Sequence, residues 1–505
     1  MATTAATTSI PAPPRERTAS AASPWPRRAF WGIAILLLVR VATLSVLPLV
    51  DSTESRYAQV AAEMAELGDY STPMIRIHDQ LIPFEGKPPL HFWVGAWMVE
   101  IFGRGEVAAR LPSLLAIALT ALFLARGGRA IVGEEAARAA TLLFCASPFV
   151  FLLSGTVLLD GTLTAWTTGA VLIGLAHSPR HERSIRLRSS AALGLTLALG
   201  FLTKGPIALA VVGTAGLMVC AVRRSLDPFR GYSWLLGSAV FFAVAGPWFI
   251  LRELQSPGFL EYFFWQENVL RFVKSDIGDR YGNVHEFFRG ASLAWWAVAA
   301  IPLLFLIVRT SLRGELRRRV WDRKAVELIA ASLGLAILLS PSRHILVTYL
   351  LPIAPIAALA AGHLFVRAGF RLERLGTICI VLAGLYGIGM FAAEPKLSED
   401  KSTRDAMRIA TALAVEHESP EVVFPRKTPW SAYYYGGEWV VPRPMDRYLM
   451  RIHETIAEHP DAIFVFKHRE LRRLPEPLRA RFTFLDERGQ WHFARHTGEP
   501  PKLSP

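Results

Sequence analysis

The sequence is short of charged residues and of cysteine. Only 19% of its 505 residues are Asp, Glu, Lys or Arg, whereas soluble proteins carry about 25%. The 3 cysteines, Cys145, Cys220 and Cys379, each lie inside an apolar run, and none belongs to a CxxC motif. This pattern argues against a cysteine-based zinc or redox centre and is typical of buried small hydrophobic residues.

Nucleotide-binding and hydrolase motifs are also missing. The chain has no Walker loop, no dinucleotide fingerprint and no nucleophile elbow. The formal net charge is +13, but the basic residues are concentrated in loops that alternate along the chain, as the positive-inside rule requires. The sequence therefore disfavours a nucleic-acid partner.

Long apolar runs dominate the chain, of which 52% is hydrophobic. We count about eleven runs close to the roughly 20 residues that one helical crossing needs. The first extends from Trp31 to Val50, and the others begin near Ala108, Ala137, Gly161, Ala191, Pro206, Ser233, Ala291, Ala325, Ile345 and Gly376. The sequence therefore predicts an all-α polytopic membrane protein with about eleven transmembrane helices.

The arginine-rich loops predict one orientation in a bacterial inner membrane. With a cytoplasmic N-terminus, residues 1–28 form a disordered tail, and the membrane domain covers residues 29–393. Three segments then face the periplasm: the loop 51–106, the segment 252–290 and a small α/β domain at 394–505. The loop 51–106 contains two apolar stripes at helical spacing, Tyr57–Leu67 and Leu90–Ile101, which predict interfacial helices. In the last segment, Tyr433–Tyr435 is predicted to form part of a strand.

The first predicted periplasmic loop opens with Asp51, Glu54, Arg56 and Tyr57. Two carboxylates and a guanidinium at a membrane surface can deprotonate a hydroxyl, bind a metal or hold a phosphate. The alternative is structural, because an Asp or Ser here also caps a helix whose first turn favours acids.

Further ionisable residues are predicted to lie in outer loops or at the outer ends of spans. They are Glu85, Lys87, Asp160, Lys204, Glu267, Arg271 and Arg343. Isolated charges at this depth are costly, and positive charges on the outer face oppose the topological bias. A bound anion such as a lipid phosphate explains them. Snorkelling of Lys204 and a salt bridge between Glu267 and Arg271 are the alternatives.

Several segments resemble, in order along the chain, the C-type membrane glycosyltransferases. The resemblance is to the bacterial 4-amino-4-deoxy-arabinose lipid A transferases and the dolichyl-phosphate-mannose protein mannosyltransferases. The segments are DSTESRYAQVAAEMAELGDYSTPMI, PFEGKPPLHFWVGAWMVEIFGRGEVAARLPS, FLTKGPIAL, FFWQENVLRF and SPSRHILVTYLLPIAP. This family implies a helical bundle with periplasmic interfacial helices over a cavity, and a C-terminal periplasmic domain.

The resemblance also implies a reaction. A polyprenyl-phosphate (undecaprenyl-phosphate type) sugar is the donor, a lipid, protein or glycan is the acceptor, and the anomeric centre inverts. Divalent metals (Mg²⁺, Mn²⁺ or Zn²⁺) are common in the family. Neither the sugar nor the acceptor is specified by the sequence. A polyprenyl-lipid transporter or flippase, and a non-catalytic lipid sensor, are the alternative functions.

Residue roles follow from the same resemblance. Asp51 or Glu54 corresponds to the catalytic base. The residues that would bind the donor phosphate are Arg56, Tyr57, Lys87, Lys204, Arg271 and Arg343. Those that would bind the sugar or a metal are Glu85, Asp160 and Glu267. The chain departs from the family pattern at Thr53, where an acid is frequent, at the inserted Gly86, and at Asn268, where a histidine is frequent.

Overall fold

The computed structural model describes residues 25–51, 53–77, 80–270, 321–339, 346–426, 428–441 and 448–497. Most of the predicted tail, the span predicted near Ala291, and the candidate residues Arg271 and Arg343 lie outside these ranges.

The described part of the chain is mainly helical. Its first helices are α1 Arg27–Ala42, α2 Thr53–Leu67, α3 Leu90–Phe102, α4 Glu106–Gly127, α5 Arg129–Val132, α6 Glu134–Ala146, α7 Pro148–Leu153, α8 Leu159–Ala176, α9 Arg183–Lys204, α10 Ile207–Arg223, α11 Trp234–Gln255 and α12 Phe259–Glu261, which continues as the π-helix Tyr262–Leu270. Beyond residue 320 lie α13 Arg323–Leu339, the 3-10 helix Val347–Ile353, α14 Ala354–Arg367, α15 Leu372–Lys401, α16 Arg404–Glu416, α17 Trp430–Gly436, α18 Tyr448–Glu458, α19 His468–Leu471 and α20 Glu476–Arg479. The strands are β1 Met74–Ile77, β2 Gln80–Pro83, β3 Val422–Val423, β4 Val440–Val441, β5 Ile463–Lys467, β6 Phe482–Arg488 and β7 Trp491–His496.

Within the described ranges, 5 helices are long and apolar enough to cross a membrane. They are Glu106–Val132, Arg183–Lys204, Trp234–Gln255, Val347–Arg367 and Leu372–Lys401. The predicted number of about eleven is therefore not confirmed. One reason is visible at the run that begins near Ala137, where the extended backbone of Ser147 before Pro148 divides the segment into α6 and α7.

Small residues bring the long helices into close contact. A Cβ at Gly32 of α1 would lie 2.8 Å from the backbone oxygen of Gly376 on α15. On α14, a Cβ at Gly362 would lie 2.5 Å from backbone atoms of α6. Helices in lipid usually associate through small residues. Lipid tails are as apolar as the helix surfaces, so close packing replaces the hydrophobic effect as the driving force.

The segment between α1 and α4 contains more than the two predicted helices. A hairpin, β1 antiparallel to β2, lies between α2 and α3 and was not predicted. In α2 the predicted apolar stripe is buried from Tyr57 to Met64, but Gln59 and Glu63 on the other face are buried as well. These two polar residues are buried because α2 packs against α3, β1 and α17 together. Trp97 and Ile101 of α3 are exposed, as an interfacial helix requires.

The C-terminal part of the chain forms a five-stranded sheet in the order β4-β3-β5-β7-β6. β3 runs parallel to β4 and β5, whereas β7 is antiparallel to β5 and β6. In β5, Ile463 and Val465 join one buried cluster and Phe464 and Phe466 the other, so both faces are covered. Residues Tyr433–Tyr435 lie in helix α17, so the prediction of a strand there is wrong.

Candidate active site

The chain enters α2 through two carboxylates that are both engaged by other parts of the protein. Asp51 accepts hydrogen bonds from the backbone N–H of Ser431 (2.7 Å) and from its hydroxyl (3.0 Å). Glu54 is 8% exposed and accepts from the backbone N–H of Val50 at 3.0 Å. Asp51 thereby caps the N-terminus of α17, and Glu54 stabilises the turn that precedes α2.

Arg110 is the main partner of Glu54 and was not predicted as a site residue. Its Nε donates to Glu54 Oε1 at 3.0 Å. Its two terminal nitrogens donate to the carbonyls of Leu44, Leu47 and Pro48. The sequence did contain a signal for Arg110, which is a charged residue inside the apolar run that begins near Ala108. Such a residue is normally paired or functional. Arg110 and Glu54 together fix the connection between α1 and α2.

A cavity of about 140 Å³ lies between α8, α9, α10, α13 and the π-helix. Its polar part is formed by Lys87, Asp160, Lys204, Glu267 and Asn268. Its apolar part is formed by Leu163, Ile207, Val211, Phe263, Leu335 and Leu339. The fold thus brings together four of the predicted site residues, whereas Asp51 and Glu54 do not line this cavity.

The charged residues of the cavity form two ion pairs. Lys204 Nζ donates to Asp160 Oδ1 at 2.7 Å, and it lies 3.9 Å from the centre of the Tyr349 ring. Lys87 Nζ donates to Glu267 Oε1 and to the carbonyl oxygen of Gly86. All four charged side chains are less than one fifth exposed. Such pairs are stable only while both partners are present, because removing one leaves an uncompensated buried charge.

Arg56 and Tyr57 lie beside these pairs. The Arg56 guanidinium carbon is 5.5 Å from the centre of the Tyr57 ring and 5.9 Å from that of Phe84. Over the described ranges, no carboxylate contacts Arg56, and its buried Nε has no hydrogen-bond partner. Burial raises the pKa of Tyr57 to about 12, against the opposing charges of Arg56 and Lys204. Tyr57 is therefore a neutral hydrogen-bond donor at physiological pH, next to the guanidinium of Arg56.

Glu85 belongs to a separate polar network. Its Oε1 accepts from Arg252 Nη2 at 3.2 Å and from the Ser256 hydroxyl at 2.8 Å. Arg252 also donates to the Thr72 hydroxyl oxygen, at 2.9 Å. This network links α11 to the segment before β1, and Glu85 does not line the cavity.

The cavity residues do not fit a divalent metal as they are arranged. Asp160 and Glu267 are each neutralised by a lysine, and Glu85 is neutralised by Arg252. A metal ion would have to displace these cations, since its ligands must be free carboxylates or neutral imidazoles. In the described part of the chain, the His, Cys, Asp and Glu side chains that meet at metal-ligand spacing are His468, Glu487 and His492, in the sheet region.

Three similar groups of sequences were found among known proteins, one family and two named transferases. The model of the family described as dolichyl-phosphate-mannose-protein mannosyltransferase matches residues 86–250. The undecaprenyl phosphate-alpha-4-amino-4-deoxy-L-arabinose arabinosyl transferase of Serratia proteamaculans is 27% identical over 368 residues, 70% of this chain and 63% of that protein. The transferase of the same name from Edwardsiella ictaluri is 30% identical over 342 residues, 66% of this chain and 59% of that protein. The chain thus spans less than two thirds of the length of these relatives.

Two solved structures share the fold over almost the whole chain. The crystal structure of ArnT from Cupriavidus metallidurans bound to undecaprenyl phosphate has a TM-score of 0.74 at 18% identity, covering 94% of this chain and 99% of that one. The apo structure of the same protein has a TM-score of 0.71 at 20% identity, covering 92% and 97%. The fold that the resemblance to the C-type glycosyltransferases implied is thereby confirmed, and the apolar helices of the described ranges indicate a multi-pass membrane protein.

Proposed function

We propose that this protein is a glycosyltransferase that moves a sugar from a polyprenyl-phosphate donor to an acceptor at the outer face of the membrane. The observation that carries this proposal is the set of cations around one cavity: Lys87 and Lys204 line it, and Arg56, which has no acidic partner in the described ranges, lies next to Tyr57. The names of the relatives support undecaprenyl phosphate as the carrier.

The donor phosphate would bind by exchanging partners with the two ion pairs. A phosphate close to Lys204 competes with Asp160 for the ammonium, and near Lys87 it competes with Glu267. Charge-assisted bonds to phosphate are as strong as those to carboxylate, so the exchange is close to balanced. Arg56, which pairs with no acid among the described residues, would add a third cation, and Tyr57 would add a neutral hydrogen-bond donor.

The cations would contribute to catalysis by stabilising the leaving group. As the glycosidic bond breaks, negative charge grows on the polyprenyl phosphate, and preorganised donors that meet this charge lower the barrier. Glu267 and Asp160 would keep Lys87 and Lys204 beside the cavity until the donor binds, so that both cations contact the phosphate before the glycosidic bond breaks. Attack from the opposite side inverts the anomeric centre.

A carboxylate that is freed from its lysine when the donor binds would activate the acceptor. Asp160 and Glu267 line the cavity, and each would lose its lysine when the phosphate binds, becoming a base for a hydroxyl acceptor. A phosphate acceptor needs no base, because it is ionised at neutral pH. Asp51 and Glu54 would act instead as positioning residues that hold Arg56 and Tyr57 through the start of α2.

The test is release of polyprenyl phosphate by the protein in liposomes. The donors are a panel of undecaprenyl-phosphate sugars beginning with 4-amino-4-deoxy-L-arabinose, and the acceptor is an envelope extract. We expect release from one donor, with Lys204→Ala about 10²–10³-fold slower, as for loss of one transition-state donor. Lys396→Ala removes an exposed lysine far along α15 and should react at the wild-type rate.

Other outcomes reject the proposal. Carrier lipid that crosses the liposome bilayer with its sugar still attached would identify a flippase. Binding of the donor without release or crossing, with and without an added divalent metal, would identify a lipid sensor.

A further inference from the structure

The strongest unassigned cluster lies at one corner of the five-stranded sheet. His468 follows β5 directly, and its Nδ1 lies 3.0 Å from Nε2 of His492 on β7. The two imidazole rings are stacked, with centroids 5.2 Å apart and an angle of 27° between their planes. The proposed glycosyl transfer uses neither residue.

Glu487 brings a carboxylate to the same corner. It lies directly opposite His492 in the β6–β7 ladder, and its Oε2 is 3.5 Å from His492 Nδ1. One ligand atom from each of His468, Glu487 and His492 lies within 4.8 Å of the other two. The His492 side chain is 6% exposed and is therefore fixed by its packing. The side chains of His468 and Glu487 are exposed, so they can rotate towards a bound ion.

We propose that His468, His492 and Glu487 bind a zinc ion. Zinc takes imidazole nitrogen at about 2.0–2.1 Å in tetrahedral sites, which separates two ligand nitrogens by about 3.3 Å. The two nitrogens here are 3.0 Å apart, so a small opening of the pair admits the metal. Two imidazoles and one carboxylate suit zinc and other borderline transition metals rather than Mg²⁺ or Ca²⁺. The exposed side of the site leaves a fourth position for water.

The location of the cluster indicates what the metal does. The backbone N–H of His468 donates to the carbonyl of Gln490 at 2.8 Å, in the turn between β6 and β7. The Gln490 side chain in turn donates to the carbonyl of Glu399 on α15. A bound zinc ion therefore fastens β5, β6 and β7 to one another beside the end of the last long helix. It is a structural site, separate from the transfer cavity.

The test uses the full-length protein in detergent, without a polyhistidine tag and stripped of metal. Zinc chloride alone is titrated by calorimetry, and bound zinc is measured after dialysis. We expect one zinc ion per chain and a higher unfolding temperature with zinc, because a ligand that binds only the folded state stabilises it. X-ray absorption should show imidazole scattering around the metal.

His468 and Glu487 are exposed, so variants at these positions should fold even if the buried His492→Ala does not. His468→Ala and Glu487→Gln should each weaken zinc binding at least about tenfold, the lower range for metal-site residues. His417→Ala, a histidine at the end of α16, is the matched control and should bind like the wild type. Equal zinc binding in His468→Ala and the wild type, or none in the wild type, overturns the proposal.

Discussion

Asp51 and Ser431 are 380 residues apart in sequence, yet the carboxylate of Asp51 accepts hydrogen bonds from both the backbone N–H and the hydroxyl of Ser431. The Asp51 backbone N–H also donates to the carbonyl of Lys401, at the end of α15, at 2.9 Å. Next to this contact, the Tyr435 hydroxyl accepts from the Leu49 N–H and donates to Glu106. The start of α2, and with it Arg56 and Tyr57, is thus held by the C-terminal part of the chain.

The Asp51–Ser431 contact should appear as a coupling in stability. Asp51→Ala leaves the N-terminus of α17 without its acceptor and should lower the free energy of unfolding by about 1–3 kcal/mol. Asp51→Ala and Ser431→Ala combined should give a coupling of at least about 0.5 kcal/mol in a double-mutant cycle measured by thermal unfolding in detergent. Asp400→Ala, an exposed residue of α15, is the control.

Asp51→Asn separates the two roles that a carboxylate at this position can have. The amide oxygen still accepts from the Ser431 N–H, so a positioning residue should retain most of its transfer rate. A fall in kcat of about 10²-fold or more at unchanged unfolding temperature would instead assign the base to Asp51.

Glu54 and Arg110 should form the most costly single pair to break. The side chains are 9% and 3% exposed, and Glu54→Gln leaves the arginine charge buried without a carboxylate. We expect a loss of about 3–5 kcal/mol in unfolding free energy. Glu66 forms an ion pair with Arg104, and its side chain is about half exposed. Glu66→Gln should therefore lower the free energy of unfolding by no more than about 1 kcal/mol. Equal effects of the two substitutions would contradict the importance of burial here.

Gly205 should control the shape of the cavity. Its φ of +71° favours glycine, and a Cβ there would lie 2.7 Å from the Phe263 ring, which lines the cavity. Gly205→Ala should therefore displace Phe263 and raise KM for the donor, while costing about 1–3 kcal/mol in backbone strain. Gly213→Ala adds a methyl to open space on α10 and should leave KM unchanged. Unaltered KM in Gly205→Ala would show that Phe263 does not border the donor.

His91 should make stability depend on pH below neutrality. It lies at the start of helix α3, its Nδ1 is 2.8 Å from the Thr162 hydroxyl, and burial lowers its pKa to about 4. The unfolded chain, with a histidine pKa of about 6.5, then binds a proton more readily than the folded chain. The contribution of His91 to stability is constant above about pH 6.5 and falls as the pH drops towards 4, by about 3 kcal/mol in total.

The measurement is unfolding temperature against pH for the wild type and His91→Gln. The variant removes the titrating group, so its curve should be flatter between pH 6.5 and 4, whatever the other groups contribute. Parallel curves would mean that His91 is accessible to protons in the folded protein.

The sequence predicted the elements whose signals are local. Apolar runs mark the membrane helices because transfer into lipid depends on the residues of the run itself. The apolar stripe Tyr57–Leu67 predicted the helix α2. The ionic residues Lys87, Asp160, Lys204 and Glu267 could be selected as candidates because charge near a bilayer must be compensated.

Tertiary packing decided how these residues are paired. Lys204 lies 44 residues from Asp160 and Lys87 lies 180 residues from Glu267, so no local pattern contains either pair. The same holds for Asp51 with Ser431 and for Glu54 with Arg110, which the motif at the start of α2 did not predict. Residues Tyr433–Tyr435 are helical because Asp51 caps the N-terminus of α17 and two hydrophobic clusters bury the tyrosine rings. Thus the sequence by itself determined a membrane protein and selected the ionic residues that meet in the cavity. Which carboxylates face the cavity was decided only by the fold, since a side chain's partner depends on which helices pack together.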